Sequence, residues 1–335
     1  MEGRDTLQRL PQVAATPALA IPGLALSLAV VLAAMPYLLP TYYLFLITEI
    51  AIVALFGVAM NLLMGFGGMV SFGQAGYFAL GAYGSALLLK KAGMAMPLAF
   101  VAGPFIAAAG ALIFGVFIVR LTAVYFSMLS LAFAQIVYTV IFKWYSFTGG
   151  DNGLLGIWPV KFLRAPANYY YFTLGVVGLA TLALYAIVNS PFGYALRAVR
   201  ENPRRAQVIG VNVKRHQLLA FVISGFFSGL AGSLFAFFNG SVFPDFAHFT
   251  KSFEPLVVAL MGGMQSFVGP IIGAIGFKLL ETFISRQSPI YWPLVMGAIL
   301  VGIVLLFPRG LMGFIEGRAW ARWRWRKRSF SRPKG

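Results

Sequence analysis

Residues 190–216 concentrate the charge of this chain. They hold Arg197, Arg200, Arg204, Arg205, Lys214 and Arg215 against a single acid, Glu201. The punctuation among these side chains is specific. Asn202 suits a helix N-cap, Pro203 the first helical position, and Gly210 a left-handed residue just past the helix end. That frames a helix of about two turns, roughly 10 Å long and far too short to span a membrane. The runs on either side are apolar and of membrane length, where each Arg or Lys would cost about 2.5–3.5 kcal/mol. The stretch must therefore lie outside hydrocarbon, and the positive-inside bias places it in the cytoplasm. A short, charged, capped helix held there is a handle on which another protein can push.

Residue types suited to covalent or metal chemistry are scarce. Cysteine is absent, and His216 and His248 are the only histidines, both at segment ends. No disulfide framework, zinc site or thiol nucleophile is expected, and no cofactor or metal. The phosphate-cradling pattern G-x-x-x-x-G-K-[ST] does not occur, so any ATP hydrolysis coupled to this chain belongs to a separate polypeptide. An enzyme is therefore not expected.

Polar side chains inside apolar runs form a second constellation. Asn61, Ser71, Gln74, Ser127, Ser130 and Gln135 offer hydrogen bonds without fixed charge. They either line a pathway for a neutral or zwitterionic solute or bond helix to helix at about 0.6 kcal/mol each. Ser71 and Gln74 lie amid glycines. The carboxylates Glu49, Glu254 and Glu281 fall toward helix ends, and Lys278 and Glu281 share a helical face, where they neutralise each other. A proton-driven carrier calls for a carboxylate or histidine nearer the midplane.

The elements that must position these groups follow from composition. Of 335 residues, 60% are hydrophobic and 10% charged, with mean hydropathy +0.83. A soluble domain carries about 25% charge. The sequence predicts an all-α polytopic membrane protein. Its runs fall near 18–39, 42–64, 69–89, 97–118, 121–145, 168–189, 217–239, 254–266, 268–285 and 290–307, about ten crossings. Residues 1–17 read as a cytoplasmic N-terminal segment, 18–308 as the transmembrane domain and 309–335 as a basic cytoplasmic tail. With both termini inside, eighteen basic residues face the cytoplasm and seven the exterior, Lys90 and Lys91 being the external pair that runs against the bias. The net charge of +17 is thus topological and needs no nucleic acid. The tail alternates Trp with Arg and Lys, which suits anionic lipid headgroups.

Glycines recur at helical spacing, as at Gly225, Gly229 and Gly232 and at Gly269, Gly273 and Gly276, where backbones can approach closely. Segments 63–84 and 260–276 each contain Leu-Met-Gly and then Gly-Met-x-Ser-Phe, a pattern that suits interrupted helices around a permeation path. Both run in the same direction, so they are not an inverted repeat. Outside, Gly149, Gly150 and Asp151 belong to a turn-rich loop that serves as a hairpin, a gate or a docking surface for an external binding protein.

Five ordered blocks carry a resemblance: SFGQAGYFALGAY at 71–83, TGGDNG at 148–153, ALRAVREN at 195–202, GGM at 262–264 with Gly269-Pro270, and FPRG at 307–310. Together they resemble the permease subunits of high-affinity branched-chain amino-acid ABC importers, the LivM type. The resemblance implies a type II importer fold and a heterodimer with a second, homologous permease. It also implies two cytoplasmic ABC ATPases, a periplasmic substrate-binding protein and residence in the bacterial inner membrane. It maps residues 195–210 onto the segment that couples to an ATPase, with Arg200, Glu201 and Asn202 at its core and Arg197, Arg204 and Gly210 around them. The chain departs from the family at Pro203-Arg204-Arg205, which calls for a more acidic ATPase groove, and at Gln265 and Glu49. The mechanism implied is alternating access. The alternatives are a cargo of urea, short amides or other amino acids, and an ion-coupled carrier working alone.

Overall fold

The computed structural model describes Leu32, residues 34–287 and isolated positions between 294 and 312. The expected N-terminal segment and most of the first span, the last span and the tail lie outside the described residues. Besides a one-turn helix at Tyr145–Thr148, ten helices organise the described residues: α1 Thr41–Asn61, α2 Gln74–Lys90, α3 Met96–Ile118, α4 Ala123–Lys143, α5 Pro166–Val188, α6 Pro191–Glu201, α7 Pro203–Val208, α8 Val213–Asn239, α9 Phe249–Gly262 and α10 Gly269–Gln287. Helix α1 continues into a π-helical turn, Leu62–Phe66. Each of the eight expected runs between 42 and 285 has its helix.

Among the described residues, five helices are long and apolar enough to cross a membrane: Thr41–Phe66, Met96–Ile118, Val124–Lys143, Pro166–Val188 and Val213–Asn239. The other three differ from a plain span for separate reasons. Helix α2 starts at Gln74, not near 69, because residues 67–73 form an irregular loop. Helix α9 has 14 residues, about 21 Å against a hydrocarbon core of about 30 Å. Helix α10 carries Lys278, Glu281 and Arg286.

Burial sorts the helices into centre and rim. In the apolar windows of α1 and α8, 61% and 72% of residues are buried, against 28–33% in α3, α4 and α5. The centre is closed by small residues. A Cβ on Gly81 would strike the Gly229 carbonyl, and one on Gly232 the carbonyl of Phe78, so α2 and α8 meet backbone to backbone. Gly103 of α3 fits against Ser85 and Ser233, whose hydroxyls bond at 2.8 Å. Gly225 and Gly229 receive Ala111 and Ala107 of α3. The glycine spacing in α8 is thus a packing surface, the arrangement that serves where lipid offers no hydrophobic force between helices.

The ends of the bundle are distinct. One end gathers the π turn, α6 and α7, and the 263–268 turn between α9 and α10, with Tyr185 edge-to-face against Phe267 at 5.3 Å. The opposite end gathers residues 91–95, 144–165 and 240–248. There β1 (Leu154–Leu155) pairs antiparallel with β2 (Ser241–Val242), Leu154 facing Val242. Lys90 Nζ donates to the Leu155 carbonyl at 2.7 Å and Lys91 Nζ to that of Ser146 at 2.5 Å. The two lysines that oppose the charge bias therefore hold this loop in place.

Candidate functional site

The basic hairpin is built by its caps. Ser190 Oγ accepts from Gly193 N at 3.4 Å to open α6, with Pro191 in the first turn. Asn202 closes α6 in an extended conformation and opens α7, its Oδ1 accepting from Arg205 N at 3.0 Å. Gly210, at φ +89°, ends the turn, and Val211 N reaches back to the Ala206 carbonyl at 3.0 Å. This is the framed two-turn helix that the sequence predicts. Val199, Ala206 and Val213 bury a small cluster that pins α7 against α6 and α8. Glu201, Arg204, Arg205, Val208 and Ile209 all face outward, Val208 88% exposed. A basic rim around an apolar tip is the surface the hairpin offers.

Two of its arginines turn the other way. The Arg197 guanidinium lies 5.0 Å over the Phe66 ring and donates to the Val188 carbonyl at 3.3 Å. Such a cation–π contact is worth about 0.5–2 kcal/mol, more as water is excluded. Arg200 Nη1 donates to the Gly65 carbonyl, and its stem lies across Gly68. Both partners belong to the widened end of α1, where Gly67 N bonds the Leu62 carbonyl at 3.1 Å in the i→i+5 pattern of a π turn. The sequence gives no sign that Arg197 and Arg200 hold this turn, because the contact spans about 135 residues.

The same turn touches the second glycine-rich segment. Asn61 is wholly buried, and its Nδ2 donates to the Ser266 carbonyl at 3.0 Å. A Cβ on Gly65 would strike both Asn61 and the Met264 carbonyl. Segments 63–84 and 260–276 are therefore two hairpins whose turns meet at the hairpin end of the bundle.

A polar interior lies beside these turns. Ser71 and Gln74 are wholly buried, and Ser127 and Ser130 nearly so. Gln74 Oε1 accepts from Ser228 Oγ at 2.9 Å, while its Nε2 has no protein partner. Ser127 Oγ donates to the Val70 carbonyl at 2.6 Å. Helix α2 begins within the bundle and has no side-chain cap of its own. Its first turn and the loop before it are satisfied by Ser130, which accepts from Phe72 N at 3.1 Å, and by Ser252, which accepts from Ala75 N at 3.0 Å. Gln135 stands apart on the exposed side of α4. Of the six residues expected along a path, Ser127 and Ser130 bond the loop that carries Ser71, Asn61 and Gln74 are buried with partners of their own, and Gln135 is left outside. Ser228 and Ser252 join the group without having been singled out, since single serines in apolar runs carry no spacing signal.

At the opposite end, Gly149, Gly150 and Gly153 all have positive φ, and Thr148 Oγ1 turns inward to the Ile141 carbonyl at 2.5 Å. Asp151 is exposed at the tip. Lys278 pairs with Glu281 at 2.7 Å, as expected, but Glu49 and Glu254 also reach it, at 2.8 and 3.4 Å.

Membrane-length apolar helices packed on glycine around an interrupted polar centre define an integral-membrane protein of the permease class. The chain belongs to the family described as branched-chain amino acid transport system / permease component, whose profile matches residues 42–305. It is 27% identical over 313 residues to the high-affinity branched-chain amino acid transport system permease protein LivM of Escherichia coli K12, covering 85% of this chain and 73% of that one. Similarity also extends to LivH of the same organism, 32% over 140 residues, 41% of this chain and 45% of LivH. The guanosine ABC transporter permease protein NupQ of Bacillus subtilis is 29% identical over 157 residues, 46% of this chain and 48% of NupQ. No solved structure matches. The chain is a multi-pass permease subunit of an importer, and a carrier working alone is not favoured.

Proposed function

We propose that this subunit carries branched-chain, hydrophobic amino acids across the bacterial inner membrane by alternating access, paired with a second homologous permease. Two ABC ATPases on the cytoplasmic side supply the energy, and a periplasmic binding protein delivers cargo to the end bearing Gly149, Gly150 and Asp151. Both termini are cytoplasmic in this reading, with 1–17 and 309–335 flanking a transmembrane domain over 18–308 and the basic tail resting on anionic lipid. The chain itself hydrolyses nothing. Glu201, Asn202, Arg204 and Gly210 shape the ATPase contact, while Arg197 and Arg200 pass its movement inward. Asn61, Ser71, Gln74 and Ser127 line the route, where neutral donors and acceptors suit a zwitterion.

The observation that carries this reading is the direct tie between the hairpin and the end of α1. Arg197 on Phe66 and Arg200 on Gly65 give a push on α6 a rigid route to the π turn, and Asn61 extends it to Ser266. The test is Arg200→Glu in the complete complex, reconstituted in proteoliposomes. The variant is expected to insert and hydrolyse ATP but to lose uptake; normal uptake would remove this role from the hairpin. The guanosine relative marks nucleosides as the competing cargo, and uptake of leucine against guanosine decides between them.

A further inference from the structure

Lys278 is buried in α10 and meets carboxylates from three helices. Its Nζ lies 2.8 Å from Glu49 Oε1 of α1, 3.4 Å from Glu254 Oε1 of α9 and 2.7 Å from Glu281 Oε2 one turn along its own helix. The other oxygen of Glu254 pairs with Lys251, whose ammonium sits 4.8 Å over the Phe235 ring and 5.5 Å over Phe78. Five charges thus run in a line from the α2–α8 core, through the half-length α9, to α1 and α10. Three are negative and two positive.

Stability does not account for such a line. Apolar residues of similar volume in place of a buried ion pair are often neutral or better, whereas removing one partner alone strands a charge. What three partners give a lysine is freedom to lose one of them. Glycines also bring these helices close together. Gly57 of α1 lies against Val258 and Pro270, Gly273 of α10 against the Val258 carbonyl, and Gly262 against the Gly269 carbonyl. Helices α9 and α10 thus meet backbone to backbone, while α1 takes the Val258 side chain against its Gly57. The carboxylates differ in where they stand: Glu281 shares the helix of Lys278 and Glu254 lies on the other arm of the same hairpin, whereas Glu49 belongs to α1. Glu49 is therefore the partner that a shift of the hairpin against α1 would part from Lys278.

We propose that Lys278 is the positioning residue through which the α9–α10 hairpin shifts against α1 during transport. In one state it holds Glu49; in the other it keeps Glu254 and Glu281 and releases Glu49 to the rim. The inference rests on the alternating-access reading above and names the joint that moves.

The test uses the complete complex with its partner permease, ATPases and binding protein. The double variant Glu49→Gln/Lys278→Met removes one charge of each sign and leaves the cluster's net charge unchanged. It is expected to assemble and hydrolyse ATP while leucine uptake falls roughly tenfold; Lys278→Arg should stay within about twofold of the parent, because it keeps the charge and its donors. Parental uptake by the double variant, or an Arg variant as impaired as the double, overturns the proposal. A second arm does not depend on how the double variant assembles. The chain has no cysteine, and Ala54 of α1 and Ala274 of α10 are buried in one apolar cluster. Ala54→Cys/Ala274→Cys, joined by a short bis-thiol disulfide reagent, should stop uptake until reduced; undiminished uptake by the tethered complex overturns the proposal. Should the unsubstituted complex take up no leucine, the cargo assignment fails and the joint is read instead from binding-protein stimulation of ATP hydrolysis. The tether abolishes that stimulation if Lys278 marks the moving joint, and leaves it intact if it does not.

Discussion

The Arg200 side chain lies across Gly68. Its Cγ is 2.8 Å from the point where a Cβ on Gly68 would stand, and its guanidinium donates to the carbonyl of Gly65 three residues earlier. Gly68 has φ +67°, a conformation that L side chains adopt at a cost of about 1–2 kcal/mol. Glycine is therefore required twice at this position, for backbone and for space. Gly68→Ala is expected to lower the stability of the purified subunit by about 1–3 kcal/mol and to loosen α6 from the π turn. Thermal unfolding in detergent measures the first effect. Protection of a cysteine placed at Leu196, buried on the bundle side of α6, measures the second.

The contact of Arg197 with Phe66 separates charge from shape. Arg197→Lys keeps a cation but loses the planar group that stacks on the ring and reaches the Val188 carbonyl. Phe66→Leu keeps apolar volume and loses the ring face. Both should lower uptake per ATP hydrolysed by about threefold to tenfold, a loss on the scale of a desolvated cation–π contact. The double variant should do little worse than either single one, since both remove the same contact. Additive losses would show that the two side chains act independently.

Asn202 serves two helices with one residue. Asn202→Ala removes the acceptor for Arg205 N and should cost the hairpin about 1 kcal/mol, fraying α7 without unfolding the bundle. Asn202→Ser should retain most of the cap. Limited proteolysis at Arg204 and Arg205 is the readout, with faster cleavage in the Ala variant and near-parental cleavage in the Ser variant.

Glycines in the bundle fall into two kinds, and alanine separates them. Gly81→Ala places a methyl against the Gly229 carbonyl and should destabilise by about 1–3 kcal/mol, as overpacking does. Gly178, in the middle of α5, has no atom within 4 Å of an added Cβ. Gly178→Ala should be neutral or stabilise by about 0.5–1 kcal/mol through helix propensity. Thermal unfolding of the two variants side by side checks the contrast, and equal losses would contradict the packing described for α2 and α8.

Much of this was written in local sequence. Hydropathy alone locates the eight helical runs between residues 42 and 285, because hydrocarbon forces each backbone to satisfy its own hydrogen bonds. The two-turn helix of the hairpin was equally legible: Asn202, Pro203 and Gly210 act on neighbours within a few residues, so their effect is encoded where they stand. Glycine spacing foretold the closely packed face of α8 for the same reason. What the chain could not declare locally were relationships across distance. That Arg197 and Arg200 turn inward to the π turn depends on where α6 docks against α1. That Ser130 and Ser252 satisfy the loop before α2 and its first turn, while Gln135 is left outside, depends on helix rotation, which residue type does not fix. Lys278 shows the division most plainly. Its pairing with Glu281 follows from helical spacing of three, whereas Glu49 and Glu254 reach it because α1 and α9 pack closely beside α10. Local rules set which helices form and where they end. The burial of charge among them was decided when the helices came together, because an ion in hydrocarbon takes whatever partners the assembled bundle brings within reach.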